Sequence, residues 1–242
     1  MKPKLSFDMQ TQGLISIIIV TRNAAGTLQR CLDSIYEQTY PFIEIIVMDG
    51  RSRDGTVDML LKNSAKIAFW KSEKDDGIYD AMNKALGHVR GKWIYFLGAD
   101  DVLMPGFSIF AAALKEPSAI YYGSVWKSGE KYLGKLSAYQ QAKTGINHQA
   151  IIYPASVFGV LRFDTSYPIS ADHVFNMGCY SAKKYQFRFI DQIIANFNDT
   201  GISSLEKDAL FEKRKSSLIL RHYGLMIYLR FLFKLLKRGA PE

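Results

Sequence analysis

Two adjacent carboxylates, Asp100 and Asp101, follow an apolar aromatic run, Trp93-Ile-Tyr-Phe-Leu97, and stand where a buried strand would end. Neighbouring carboxylates repel one another unless a cation or hydrogen-bond donors compensate. Hard divalent ions such as Mg²⁺ take oxygen ligands and often bridge one or two carboxylates to substrate phosphates, so the pair is a candidate metal site. Two further acids occupy comparable positions. Asp49 closes the apolar run Ile43-Glu-Ile-Ile-Val-Met48, and Asp80 lies in the helical pattern after the Asp75-Asp-Gly77 loop. Asp49 and Asp54 also have a plain reading as turn and helix-cap residues, because Asp-Gly and Asp-Gly-Thr suit tight turns. The loop from Thr21 to Gly26 holds neither G-x-G-x-x-G nor G-x-x-x-x-G-K-[ST]. It therefore does not cradle phosphates by a Gly-rich route.

The elements that must position these acids are legible in the apolar periodicity. Strands are expected at Ile15 to Val20, Ile43 to Met48, Ala65 to Trp70 and Trp93 to Leu97. Helices are expected at Leu28 to Tyr36, Val57 to Asn63 and Ile78 to Val89. Strands alternating with helices imply right-handed crossovers and a largely parallel sheet covered on both faces. Ligands of such open sheets bind outside the carboxyl ends of the strands, which is where the acids stand. The second half is less regular, with strands expected at Ala119–Gly123 and Gln149–Tyr153 and helices at Ala155–Val160 and His173–Lys183. From Lys213 apolar residues interleave with Lys and Arg, and residues 213–242 read as a basic amphipathic tail on a domain spanning 1–212.

Composition bounds the partners. The 242 residues carry 31 Lys+Arg against 23 Asp+Glu, a formal charge of +8, which admits nucleic acid, an anionic membrane or a phosphorylated substrate. Nucleic acid is not expected, because the chain lacks interleaved aromatic and basic strand surfaces or zinc-type spacing. Cys31 and Cys179 are too few for a disulfide framework, pointing to a reducing compartment. No cleaved signal peptide is visible, and the run from Leu14 to Val20 is far shorter than the roughly 20 residues of a membrane span.

Four segments, in order, carry a resemblance: Ile17-Ile-Ile-Val-Thr-Arg-Asn23; Glu44-Ile-Ile-Val-Met-Asp-Gly-Arg-Ser-Arg-Asp-Gly-Thr56; Ser72-Glu-Lys-Asp-Asp-Gly-Ile-Tyr-Asp-Ala-Met-Asn-Lys84; and Gly91-Lys-Trp-Ile-Tyr-Phe-Leu-Gly-Ala-Asp-Asp101. Together they resemble the motif series of family 2 glycosyltransferases, in particular bacterial enzymes that build capsular, colanic-acid-type or O-antigen repeat units. The likeness extends from about Leu14 to Tyr180. It implies a GT-A fold, a Rossmann-like mixed, largely parallel sheet flanked by helices, with the amphipathic helical tail outside it.

The resemblance also implies roles. Asp49 and Asp80 face the donor nucleotide, while Asp100 and Asp101 match the D-x-D element that holds Mn²⁺ or Mg²⁺ on the diphosphate, Asp100 serving donor and metal alike. Gly98 stands where the first Asp of a full Asp-x-Asp-Asp often lies, which bears on metal affinity. Asn83 and Lys84 are lesser candidates. Ile169-Ser-Ala-Asp172-His173 resembles the family's acidic motif before a helix, making Asp172 the candidate base; a helix N-cap is its plainer role, and His173 is an alternative proton acceptor. His148, in Asn147-His148-Gln149, is a candidate substrate contact, its plainer role being a satisfied, partly buried histidine. Gly201-Ile-Ser-Ser204 fits a late loop that closes over the site.

The implied reaction is inverting transfer of a sugar from a nucleoside-diphosphate sugar to a hydroxyl of a saccharide or lipid-linked saccharide, by resemblance one on polyprenyl diphosphate. An alternative is a catalytically silent nucleotide-sugar-binding protein on the same fold. In the tail, Arg230, Lys234, Lys237 and Arg238 share one helical face opposite Leu225, Tyr228, Leu229, Leu232, Leu235 and Leu236. This suits an anionic membrane surface, and would make the protein cytoplasmic and peripheral on the inner face of the membrane; a terminal helix docked on the core is the competing arrangement.

Overall fold

Ile15–Thr21 forms β1, a β-branched run buried along almost its whole length, as expected of a parallel strand with helices on both faces. The computed structural model describes residues 13–198 and 206–239. β1 leads to α1 (Leu28–Tyr36), which buries Leu28, Cys31, Leu32 and Ile35 at helical spacing. Then follow β2 (Ile43–Asp49), α2 (Thr56–Asn63), β3 (Phe69–Ser72), α3 (Ile78–Ala85), extended by a 3₁₀ turn over Leu86–His88, and β4 (Trp93–Gly98). The third strand lies further along than its pattern suggests, because residues 64–66 still belong to the end of α2 and its turn.

Beyond β4 come β5 (Val102–Leu103), α4 (Gly106–Ala112), β6 (Ala119–Lys127), β7 (Glu130–Tyr132), α5 (Ala138–Thr144), β8 (Ile151–Pro154), α6 (Ala171–Ser181) and β9 (Gln186–Asn196). Short 3₁₀ turns at His148–Ala150 and Ala155–Gly159 flank β8, so Ala155–Val160 is no α-helix. The described strands order as β3-β2-β1-β4-β8-β6-β9-β5, with β7 on β6. β1 to β4 pair in parallel, β8 runs antiparallel to both β4 and β6, and β9 returns parallel to β6. The sheet is the expected mixed one flanked by helices. The sequence pattern misses the short strands β5 and β7 and the long strand β9. The alternation of β9 is broken by register shifts against β6 near Gly123, where an added Cβ would meet the Gln192 carbonyl at 2.7 Å.

An aromatic cluster fixes the second half against the first. Phe96 of β4 meets Tyr153, Phe158 and Phe163, and Phe163 meets Phe175 of α6 with ring centroids 4.8 Å apart. Burial of each such side chain stabilises by about 1.5–3 kcal/mol, so the start of α6 is held firmly beside the end of β4.

The chain then runs into α7 (Ala209–Tyr223) and α8 (Leu225–Gly239). Residue 213, where the tail begins by composition, falls inside α7. Phe211, Leu218 and Ile219 of that helix are buried, and Tyr223 stacks on Tyr180 of α6 at 4.3 Å. The break comes at Gly224, whose φ of +80° suits glycine. α8 packs on α7 and α5 with Phe231 buried and Ile227 and Tyr228 partly buried, while Leu225, Met226, Leu229, Phe233, Leu235 and Leu236 remain exposed.

Candidate active site

The carboxyl ends of β1 and β2 are tied to each other before any ligand is considered. The Asn23 amide donates to Ser52 Oγ at 2.7 Å, and the Arg53 amide donates to Asn23 Oδ1 at 2.9 Å. Asp54 accepts from the Ala25 amide at 3.0 Å and from Thr56 at 3.1 and 2.6 Å, which is the turn chemistry its sequence suggests. Asn23 and Arg51 both adopt left-handed φ, 53° and 56°, a conformation Asn tolerates and Arg holds only under constraint.

Asp49 is turned away from the cleft that these loops border. It is 1% exposed and accepts from the Ser52 amide at 3.0 Å, from Ser72 Oγ at 2.5 Å and from Ser52 Oγ. Its carboxylate knits the β2 loop to β3. The acid that borders the cleft on this side is Asp75, together with Arg22 and Asn23. Asp75 Oδ1 accepts from the Gly77 amide at 3.1 Å. Its Oδ2 lies 2.5 Å from where a Cβ on Gly50 would stand, so the missing side chain at 50 makes room for the carboxylate. Asp80 sits beside this cleft, accepting from the Asp76 amide at 3.0 Å and paired with Lys84 at 2.8 Å. The Lys84 hydrogen bond holds its carboxyl below the ordinary value. Asn83 exchanges bonds of 2.9 and 3.1 Å with the Phe163 backbone and braces α3.

At the end of β4 the adjacent acids point in different directions. Asp101, 1% exposed, folds back and accepts from the Gly98 amide at 3.1 Å, Gln149 Nε2 at 2.9 Å and the Asn198 amide at 2.8 Å. Burial pushes its carboxyl above the ordinary value despite these donors. A Cβ at Gly98 would stand 2.5 Å from Asp101 Oδ2 and 3.0 Å from Asp100 Oδ1, so the missing side chain gives both carboxylates room in this arrangement. Asp100 is only partly buried and lines the cleft, with Oδ2 accepting from Asn198 Nδ2 at 2.9 Å. Of the two carboxylates expected to share a metal, Asp100 faces the cleft, whereas both oxygens of Asp101 accept hydrogen bonds from the protein.

The cleft encloses about 540 Å³, within the range of small-molecule sites. A second pocket of about 380 Å³ adjoins it, and His148, Gln149 and Phe197 line both. Asp172 belongs to the second pocket. It lies in the first turn of α6, its side chain 15% exposed, with Oδ2 3.2 Å from His148 Nδ1 and Oδ1 accepting from the His173 amide at 2.7 Å. Burial works to raise its carboxyl, but the hydrogen bonds from His148 and the His173 amide prevail and hold it below the ordinary value. His173 does not share its freedom. Its ring is buried, Nε2 is 3.1 Å from the Gln141 carbonyl, and burial pulls its pKa down to about 4. It pins α6 to α5 as a neutral group.

The fold therefore brings together Asp100, His148 and Asp172, and leaves Asp49, Asp80 and Asp101 as bracing or peripheral acids. Sequence reasoning missed Asp75, Gln149 and Asn198 as site residues. Asp75 had a signal, its place in the Asp75-Asp-Gly77 loop; Asn198 had none, because β9 itself was not recognised. The Gly201–Ser204 loop lies outside the described residues.

Residues 16–179 match the family model described as Glycosyl transferase family 2. Over 217 residues the chain is 34% identical to a PGL/p-HBAD biosynthesis glycosyltransferase of Mycobacterium bovis, covering 83% of both chains. It is 29% identical over 218 residues to a glycosyltransferase of Mycobacterium tuberculosis, covering 84% of this chain and 82% of the other. Among solved structures, S. aureus TarS residues 1–349 in complex with UDP has a similar fold, with a TM-score of 0.70, 18% identity and coverage of 90% and 70%. The mannosyltransferase PcManGT from Pyrobaculum calidifontis, solved with GDP-Man and Mn²⁺, gives a TM-score of 0.61 at 17% identity, covering 94% of this chain and 65% of that one.

Proposed function

From the premise that the chain belongs to glycosyl transferase family 2 and is a glycosyltransferase, we propose that it moves a sugar, with inversion, from a nucleoside-diphosphate sugar in the larger cleft to an acceptor hydroxyl in the smaller pocket. One observation carries this reading: Asp100 faces the first chamber, Asp172 the second, and His148 lines both. The nucleotides held by TarS and PcManGT, UDP and GDP-Man, support a donor of this class.

Asp172 is the base. Its carboxylate is ionised at neutral pH because its pKa is held low, and His148 at 3.2 Å fixes its orientation. The acceptor oxygen bonds to the anomeric carbon on the face opposite the departing diphosphate, the bond from that carbon to the diphosphate breaks, and the hydroxyl proton passes to Asp172. Asp75 and Arg22, which line the larger cleft and not the Asp172 pocket, suit the hydrogen-bonding edge of the nucleobase and the ribose.

A divalent ion, Mn²⁺ or Mg²⁺, suits the Asp100 end. Among the described residues no three His, Cys, Asp or Glu side chains form a cage, but a single cleft-facing carboxylate fits an ion that draws its other ligands from water and substrate phosphates. Such an ion would be held by Asp100 and would offset charge on the departing diphosphate. The Mn²⁺ in PcManGT supports this.

The acceptor reading is a saccharide or lipid-linked saccharide, by resemblance one on polyprenyl diphosphate, met at an anionic membrane on the cytoplasmic side. Its support is α8, whose Leu225, Met226, Leu229, Phe233 and Leu236 are exposed beside Arg230, Lys234 and Lys237. Among the described residues no helix is long and apolar enough to cross a membrane. The decisive test is a thermal-shift panel of nucleotide sugars with and without Mn²⁺. A true donor at 100 times its Kd should stabilise by about 2.7 kcal/mol, and a panel in which no nucleotide sugar shifts the transition would sink the reading.

A further inference from the structure

A second cleft, of about 600 Å³, opens between α5 and α8. Lys143 lines it from α5, and Arg230, Lys234 and Lys237 from α8, while no described acid does. The Arg230 guanidinium lies over the Tyr139 ring, 4.4 Å from its centroid. That contact holds the group at the rim of the cleft, and its five N–H donors suit a planar or tetrahedral oxyanion. Four like charges around one opening repel each other and favour an anion among them. Inward the cations are matched by acids, Asp172, Glu206, Asp208 and Glu212 lining the adjoining pocket, so the unbalanced positive charge is confined to the α5–α8 cleft. Lys143 also lines the Asp172 pocket, as do Lys127, Lys207 and Lys215. Burial lowers the Lys215 pKa, and neighbouring Lys143 and Lys207 lower it further against the pull of Glu212. Outward, the cleft borders the exposed apolar face of α8.

Three chambers are thus arrayed side by side: a carboxylate pocket for a hydroxyl, a cationic cleft joined to it at Lys143, and an apolar helix face. We propose that the α5–α8 cleft is an anion subsite that takes the phosphate or diphosphate of an amphiphilic acceptor whose sugar reaches Asp172 past Lys143. This rests on the reading of Asp172 as the base in an acceptor pocket. It adds the group that selects the acceptor: a neutral glycolipid could enter the pocket, but only a phosphorylated one would fill the cleft.

The probe is farnesyl diphosphate below its micellar concentration, titrated against the full chain, with farnesol, inorganic pyrophosphate and phosphatidylglycerol vesicles as comparison arms. Farnesyl diphosphate should bind, pyrophosphate should compete with it, and farnesol should bind at least about tenfold more weakly, as charge-assisted contacts require. The double variant Arg230→Ala/Lys234→Ala should weaken farnesyl diphosphate by at least about tenfold, and Lys237→Ala, on an exposed position, serves if the double variant does not fold. Equal binding of farnesol, or undiminished binding by folded variants, overturns the proposal. Displacement by vesicles but not by pyrophosphate assigns the cleft to phospholipid head groups and overturns it as well. Asp172→Asn should bind the probe as the unaltered chain does; normal turnover by that variant would instead undo the reading of the neighbouring pocket, a result distinct from any loss of probe binding.

Discussion

At the scale of single residues the site is organised by which carboxylates are already satisfied. Asp101 accepts from Gly98, Gln149 and Asn198, so Asp101→Ala orphans several donors and should cost roughly 2–4 kcal/mol in denaturant unfolding. Asp100→Ala leaves those donors paired. It should abolish Mn²⁺-dependent tightening of the donor while moving the unfolding midpoint little; an equal loss of stability in both variants would contradict this division. Asp172→Asn keeps an acceptor for the His173 amide, so donor affinity and stability should hold while turnover falls about 10²–10⁴-fold. Single-turnover and donor-binding measurements separate the two. His173 gives a pH test of a different kind. Its pKa drops from 6.5 to about 4 on folding, chiefly through burial. The unfolded chain therefore binds more protons between those values. Stability should be full above pH 6.5 and fall by about 2 kcal/mol between pH 7 and 5, and His173→Gln should flatten that slope in urea titrations at the two pH values.

At the scale of elements, the two C-terminal helices do different work although their composition is continuous. α7 is clamped to the start of α6 through Asp208, which accepts from the Ile169 and Ser170 amides at 3.2 Å and from the Phe211 amide at 3.0 Å. It thereby supports the turn that carries Asp172. α8 contributes one buried side chain, Phe231, to the described core. A chain ending after Tyr223 should lose no more than about 1–3 kcal/mol and keep donor binding, yet cease to sediment with anionic vesicles. Ending after Ser216 removes Leu218 and Ile219 from the core and should cost at least about 3 kcal/mol. Urea unfolding of both truncations compares them, and an intact fold in the shorter one would show that α7 is dispensable.

At the scale of the whole molecule, the net charge of +8 becomes meaningful only through its distribution, four cations and no described acid lining the α5–α8 cleft. Vesicle binding should accordingly weaken between low and physiological salt, since exposed charges are screened over about 8–10 Å; salt-independent sedimentation would leave the apolar face of α8 acting alone. The first hundred residues were legible in advance, because a buried parallel strand or a half-buried helix writes its own period into the chain: α1 occupies the Leu28–Tyr36 span its pattern predicts. β9 was not legible, since its register shifts interrupt the alternation that marks a strand. The sequence by itself determined the alternating half of the fold, the positions of acids at strand ends and the family resemblance. Only the tertiary structure decided which acids face the cleft and its adjoining pocket. Asp49 and Asp101 turn inward because Ser72, Gln149 and Asn198 meet them there, and Asp75 reaches the cleft over Gly50. The direction of a side chain at a turn is set by partners 23 to 97 residues away in the chain, and no local pattern of residue types encodes it.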